Sequence, residues 1–381
     1  MKVLCVSHPD SEVAGLLSHS SLDYRILPPS SKYSLTPTLL RRQVREFNPD
    51  IILSQGVILT LGEWLLLRPK SKKFVAYLGD TGQTPLSRLV VRELRKSDLV
   101  IVTSEGGRQE LLKEMGNNPA VVSVLPNFCD VAKFDKAKVQ HNGKVILTVI
   151  DLSNAGKATA METFFSAIAS VLREDDTCRY RLILTGEYKG RTLWYIGTKM
   201  NNLGGRIEIS GMSKNLCEEY QRADVFCYYS NQDECPREVL AAWASHTPVV
   251  ANKLGWSESL IGNNEAGLLA DTPEETADNI KILLSDAAER AAVTEKGYEC
   301  VVNHFSETVV GEQLRRSLQG LVAVPTLLLP APSLAHYTIT RSASATATKK
   351  ESSLRESLSD LLDPDEERAE SKMGDKEGTD E

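Results

Sequence analysis

The sequence predicts an α/β protein built from two doubly wound units, each a parallel sheet flanked by helices. Three observations carry that prediction. Short apolar runs alternate with amphipathic stretches, the pattern of βα units. The alternation stops at a polar, lysine-rich stretch and then restarts. The chain has 381 residues, 41% of them hydrophobic, which is more core than one such unit needs.

In the first unit, strands are predicted at 3–7, 24–27, 51–54, 74–78, 99–103 and 121–125. Helical patterns fall between them. One spans 39–47. Another spans 86–96, where Leu86, Leu89, Val90 and Leu94 recur near helical spacing. Pro126-Asn127 closes the sixth strand. Residues 131–143 carry Lys133, Lys136 and Lys138, end in Asn142-Gly143, and read as a linker. The second unit restarts with strands at 145–150, 181–184, 207–209, 225–228, 248–251 and 267–269. Its helices fit 160–172, 193–203, 216–222, 236–245, 274–285 and 287–302. A last helix, 306–321, opens with Ser306 as N-cap and Glu307 in the first turn.

The expected organisation is therefore a first unit at 1–130, a linker at 131–143 and a second unit at 144–322. A Pro-rich strap follows at 323–340, with Pro325, Pro330 and Pro332. The tail, 341–381, has no aromatic residue and reads as disordered. Within it, Ser353 and Glu356 form a capping-box pattern, with Leu354, Leu358, Leu361 and Leu362 on one face. A transient helix in a solvated tail is the simpler reading, and a short helix that binds a protein partner is the sharper one.

Charge and cysteine content exclude several classes. The net charge is −7, and most of it lies in the tail, so the folded part is nearly neutral. No basic field exists to hold nucleic acid. The seven cysteines include no CxxC pair, and an odd count argues for reduced thiols rather than a disulfide framework. Met1-Lys2 runs straight into Val3-Leu4-Cys5-Val6, without the pattern of a signal peptide. No stretch reaches membrane-span length; the nearest, 321–329, is interrupted by Pro325 and stopped by Pro330. A cytoplasmic protein is expected. No basic amphipathic helix is evident, so a peripheral membrane contact stays open without an obvious anchor.

In doubly wound sheets, ligands bind in the loops after the strands. Three such loops stand out in the second unit. Residues 151–157 end in Lys157, just before a helical pattern, where a lysine adds charge to a helix N-terminus and suits a diphosphate. A solvated loop lysine is the bland alternative. Gln232-Asp233-Glu234-Cys235-Pro236-Arg237-Glu238 opens a helix, with Pro236 at its start. Asp233 and Glu234 could bind sugar hydroxyls, or Asp233 could simply cap the helix. Gly211-Met212 follows 207–209 and would let a flat ring approach, or would simply turn the chain. No GxxxxGK[ST], HExxH, GxSxG or zinc spacing occurs. Ser7-His8-Pro9-Asp10-Ser11 after the first strand is not a GxGxxG turn.

Taken in order, these segments resemble the retaining, GT-B-fold glycosyltransferases of family 4. Strand 145–150 followed by Lys157 and Glu162-Thr163-Phe164-Phe165 is similar to that family's strand–loop–lysine segment. Leu182-Ile183-Leu184-Thr185-Gly186 and Ile207-Glu208-Ile209-Ser210-Gly211 match its next two strands. Tyr220-Gln221-Arg222-Ala223-Asp224-Val225-Phe226 matches "y-x-x-A-D-v-f". Ala244-Ser245-His246-Thr247-Pro248-Val249-Val250 matches "A-x-G-t-P-V-V", and Ala266-Gly267-Leu268-Leu269 matches "n-G-l-L". The first unit adds Val102-Thr103-Ser104-Glu105 and Val124-Leu125-Pro126-Asn127.

The resemblance implies transfer of a hexose from a nucleotide sugar, UDP- or GDP-linked, with retention at the anomeric carbon. A helix N-terminus and basic side chains would hold the leaving diphosphate, so neither metal nor cofactor is expected. It assigns Asp233 and Glu234 to catalysis, and Lys157, Cys235, Arg237 and Glu238 to the diphosphate. Gly186, Gly211 and Met212 fall to the nucleotide, and Asp80 to the acceptor side. The acceptor, a glycan, lipid or protein, is not indicated. The chain also departs from the family pattern. Of the family's two glutamates, with seven residues between them, the first falls on Asp233 and the second on Ala241. The usual arginine falls on Asp151, the glycine after the lysine on Ala158, and the glycine of "A-x-G-t-P" on His246. In the first unit the Gly-Gly loop is missing, and Gly79 stands where a histidine precedes Asp80. Arg237 is the candidate to replace the lost positive charge, and Glu234 or Glu238 the lost carboxylate. Three readings compete: an active transferase, a catalytically inactive relative acting as a binding or scaffold protein, and a nucleotide-sugar epimerase of the same fold. The first leads.

Overall fold

The computed structural model describes residues 1–28, 37–55, 72–79, 91, 94–116, 122–151, 155–185, 205–211, 215–230, 236–262 and 265–323, with backbone only at 37–40, 151, 155–163 and 323. The elements of the first half are β1 (Lys2–Val6), α1 (Glu12–Ser18), β2 (Asp23–Leu27), α2 (Pro37–Phe47), β3 (Ile51–Gln55), β4 (Lys73–Gly79), β5 (Leu99–Val102), α3 (Glu105–Met115), β6 (Val122–Val124) and α4 (Val131–Phe134). The second half has β7 (Lys144–Asp151), α5 (Ala155–Glu174), β8 (Cys178–Thr185), β9 (Ile207–Ser210), α6 (Leu216–Arg222), β10 (Val225–Tyr228), α7 (Arg237–Ala244) and β11 (Val249–Asn252). It continues with α8 (Gly255–Ser257), a π-helical turn (Glu258–Gly262), β12 (Leu268–Ala270), α9 (Pro273–Ser285), α10 (Ala287–Cys300), a second π-helical turn (Val301–Phe305) and α11 (Glu307–Ala323).

Two six-stranded sheets result, ordered β2-β1-β3-β4-β5-β6 and β12-β11-β10-β7-β8-β9. Every strand pair described is parallel. Parallel strands are covered on both faces, so they read as continuous apolar runs whose alternate residues serve different cores. In β1, Val3 and Cys5 pack with Val13, Leu16 and Leu17 of α1, while Leu4 and Val6 pack with Phe47 of α2. In β7, Ile146 and Ile150 pack on Phe164 and Ile168 of α5, while Leu147 and Val149 pack with Leu240 and Trp243 of α7.

A repeated local device starts the strands. Asp50, Asp98 and Asp224 each stand just before a strand and close the first residues of the neighbouring one. Lys2 N–H donates to Asp50 Oδ2 at 2.8 Å, Phe74 N–H to Asp98 Oδ2 at 2.9 Å, and Val145 N–H to Asp224 Oδ2 at 2.7 Å. Each aspartate's own N–H returns a bond to the same neighbour. The Asp of "A-D-v-f" therefore serves the strand ladder and not a ligand.

Two expectations change. The last helix was assigned to the second unit, but Val310, Leu314 and Leu318 of α11 complete the core under β1 and α1. Gly311 allows this approach: a Cβ there would lie 3.0 Å from the Leu16 carbonyl oxygen. The amphipathic stripe announces that one face of α11 is buried, but not which sheet buries it. Second, α2 is amphipathic and basic on its outer side, where Arg41, Arg42 and Arg45 are exposed. The predicted helices at 86–96 and 193–203 lie largely or wholly outside the described residues, as does everything beyond residue 323.

The chain crosses between sheets twice, side by side. Cys129 N–H donates to Phe305 O at 2.8 Å, and Glu307 N–H donates to Cys129 O at 3.2 Å. These bonds make a short parallel bridge of Cys129 with Ser306. The predicted linker is a strap glued to the second unit. Lys138 Nζ donates to Tyr220 O at 3.3 Å, Ala223 O at 3.0 Å and Thr247 Oγ1 at 2.6 Å. Asp135 receives His246 Nε2 at 3.0 Å and the Tyr298 hydroxyl at 2.8 Å. The joint between the units is thus narrower than 131–143.

Candidate functional site

The strand order of the second sheet reverses between β7 and β10. Such a reversal splays the connections that leave the two strands and opens a crevice at their carboxyl ends. The connection leaving β7 leads into α5, and the one leaving β10 leads into α7. These are the two segments singled out by sequence, and the topology makes them neighbours: Val225 and Phe226 of β10 pair with Ile146 and Leu147 of β7.

Lys157 lies in the first turn of α5, which carries no acidic residue. Its backbone is placed and its side chain lies outside the described set. Asp233, Glu234 and Cys235 fall in the connection from β10 to α7, outside the described residues, as do Gly186, Met212 and Asp80. Gly211 follows β9 at the edge of the sheet, two strands from β7, or about 10 Å at ordinary strand spacing.

The start of α7 is well described. Pro236 occupies the N-cap position and makes no side-chain capping bond. Arg237, expected to face a diphosphate, turns to the first unit. Its guanidinium pairs with Glu12 of α1, lies 3.4 Å from Asn127 Oδ1 through both Nε and Nη2, and sits over the Phe128 ring at 5.6 Å. Close by, burial first and then the charge of Glu238 raise the phenol of buried Tyr220 well above its ordinary range.

Two residues that sequence reasoning missed shape this end of the sheet. Asn252, the last residue of β11, clamps the exit of β10: Ser230 N–H donates to Asn252 Oδ1 at 3.1 Å, and Asn252 Nδ2 donates to Ser230 O at 2.7 Å. The Tyr229 hydroxyl meets Thr276 Oγ1 at 2.5 Å and ties the same exit to α9. An asparagine at a strand end gives no sequence signal by itself. Glu12 was also missed, because α1 follows a loop with no recognised fingerprint.

The departures from the family pattern have physical counterparts. Ala241 is buried in the apolar cluster with Leu240 and Trp243. His246 adopts φ 53°, a left-handed conformation that glycine accepts without cost. The ring stacks on Tyr298 with centroids 4.1 Å apart, which offsets part of that strain. Among the described residues, no group of three or more His, Cys, Asp or Glu side chains could hold a metal ion. No described helix is long and apolar enough to cross a membrane.

Comparison with known proteins matches both units. The family model "Glycosyltransferase Family 4" covers residues 1–133, and "Glycosyl transferases group 1" covers residues 143–286. A lipopolysaccharide core biosynthesis glycosyltransferase, LpsE of Rhizobium meliloti, is 23% identical over 283 residues, covering 72% of this chain and 77% of that one. A glycosyltransferase structure from Rickettsia africae superposes with TM-score 0.67 at 15% identity, covering 84% of this chain and 98% of the other. The Anabaena HepE structure in complex with UDP and glucose superposes with TM-score 0.62 at 16% identity, covering 84% and 100%. At these identities the structural matches establish the fold, two Rossmann-like units in the GT-B arrangement.

Proposed function

The chain belongs to the family 4 glycosyltransferases, and on that premise we propose that it moves a hexose from a UDP- or GDP-linked donor to an acceptor hydroxyl with retention of anomeric configuration. The observation that carries the proposal is the reversal of strand order between β7 and β10, the place where such sheets open a crevice. The helix leaving β7 carries Lys157 in its first turn, and the sequence between β10 and α7 contains Asp233 and Glu234.

Lys157 and the peptide N–H groups at the two helix starts stabilise the leaving diphosphate, a role that needs charge and positioning more than a metal. Asp233 and Glu234 hold sugar hydroxyls and steady the developing charge at the anomeric carbon. Gly186, Gly211 and Met212 line the nucleotide side, and Asp80 faces the acceptor from the first unit. With Ala241 in place of the usual second glutamate, ribose recognition falls to other groups, Glu238 first among them. The acceptor is a glycan, lipid or protein hydroxyl. The HepE complex makes UDP the first nucleotide to try.

Thermal shift of the full chain with UDP, GDP and their hexose conjugates tests this reading. A nucleotide at about a hundred times its dissociation constant raises stability by about 2.7 kcal/mol. A shift with one nucleotide, lost in Lys157→Ala, supports the site. No shift with any of them in a cooperatively melting protein refutes it. NMR of the product anomer then decides retention.

A further inference from the structure

We infer that Glu12 and Arg237 form a clasp between the two units, holding the angle between the sheets about the Cys129–Ser306 bridge. The partners belong to different sheets. Glu12 opens α1, which packs under β1, and Arg237 opens α7, which packs under β10 and β11. Among the described residues, the covalent ties near this point are the two adjacent crossings at 127–131 and 305–307, and a pair of parallel strands can twist about its own length. A charge pair placed to one side of that axis resists the twist.

Three neighbours make the pairing specific. Glu12 Oε2, the atom that meets Arg237, is shut off from solvent. Asn127 and Phe128, in the first crossing itself, hold the guanidinium from the other side. Tyr77, fully buried at the end of β4, senses both charges. Its phenol is raised first by burial, then by the Glu12 carboxylate, and is lowered in part by Arg237. Gly79 lies beside them at φ 64°, a backbone conformation that glycine adopts without strain. The carboxylate and guanidinium are each about one third exposed, at 31% and 38%, so salt reaches the pair.

Hydrogen exchange on the full, ligand-free chain tests the clasp. The reporters are the Cys129 and Glu307 amides, which form the bridge; the references are the Leu4 and Leu147 amides, inside the two sheets. Glu12→Gln and Arg237→Gln are each expected to speed the bridge amides about fivefold and leave the references unchanged. The double exchange Glu12→Arg with Arg237→Glu is expected to restore protection. In the unmutated protein, raising salt from 0.05 to 0.5 M should produce the same selective acceleration, which keeps the test independent of any variant's folding. Bridge amides that stay within twofold of wild type in both single variants, or that ignore salt, overturn the clasp. None of these readouts needs a nucleotide, so they succeed or fail separately from the thermal shift above.

Discussion

The two sheets have the same number of strands, but the helices that follow their first strands, α1 and α5, begin with opposite charge. In the first unit, α1 starts with Glu12 and α3 with Glu105, and the free N–H groups of α1 are taken by the protein itself. Ala14 N–H donates to Ser11 Oγ at 3.3 Å and Val13 N–H to Gln55 Oε1 at 3.2 Å. In the second unit, α5 has no acid in its first turn and carries Lys157 there, while α7 opens behind an N-cap proline with both Arg237 and Glu238. Helix starts already favour anions. The start of α1 neutralises that preference, and the start of α5 does not. The strand order differs in the same sense: the first sheet reverses after β2, the second only after β9. A shared architecture thus leaves the start of α5 more open to an anion than the start of α1.

The largest expected effect that sharpens this comparison is in the second unit. A Cβ at Gly297 would lie 2.3 Å from Trp243 Cδ1. Trp243 is fully buried and anchored to Ala266 O at 2.9 Å, so it has no room to yield. Gly297→Ala should cost about 3 kcal/mol by urea denaturation and raise exchange at Leu147 before Leu4. Next, Leu314→Ala should cost about 2–4 kcal/mol through a cavity and do the reverse, loosening Leu4. Loosening of Leu147 instead would break the assignment of α11 to the first unit.

A pH effect belongs to the second unit as well. Burial pushes the Lys138 ammonium down from 10.5 to about 8. Between those values the unfolded chain binds more protons at this group than the folded one, so stability should rise with pH across pH 8 to 10.5. Below pH 8 the full cost of the buried charge is present. The gain should be about 1–3 kcal/mol and should vanish in Lys138→Met, as read from urea midpoints in a pH series.

Two smaller effects follow. Glu12→Gln frees Arg237 from its pair beside the start of α7, so it should tighten UDP binding about threefold by calorimetry; weaker binding would show that the pair supports the ligand site. His246→Gly relieves a left-handed residue and loses the Tyr298 stack and the Asp135 bond. It should change stability by less than about 1 kcal/mol, and a larger loss would make the strap contact a principal tie.

Much of the fold was legible. Runs such as Val3-Leu4-Cys5-Val6 and Val145 to Ile150 can only be two-sided strands, and their spacing gave two sheets. The short helix α1 was not seen, because Gly15 and Ser18 blur a seven-residue pattern. The α8 segment and the π-helical turn after it break the helical period and were not seen either. The placement of α11 depends on which sheet lacks a cover, a property of the whole chain. At the site, the strand-end rule points to the segments of Lys157 and Asp233 from local order alone. It misread the Arg237 side chain, whose partner Glu12 lies 225 positions away in sequence.

The position of α11 has a consequence for how the protein is made. A ribosome delivers the first unit first, yet its core stays incomplete until residues 307–323 arrive. The second sheet, with its own helices α5 to α10, can close before that. The order of folding therefore runs against the order of synthesis, and the nascent first unit waits with the apolar floor beneath Val3, Cys5 and Leu16 uncovered. A stop in translation anywhere between 144 and 306 would strand it in that state, and chaperone dependence should be greatest for such truncated chains.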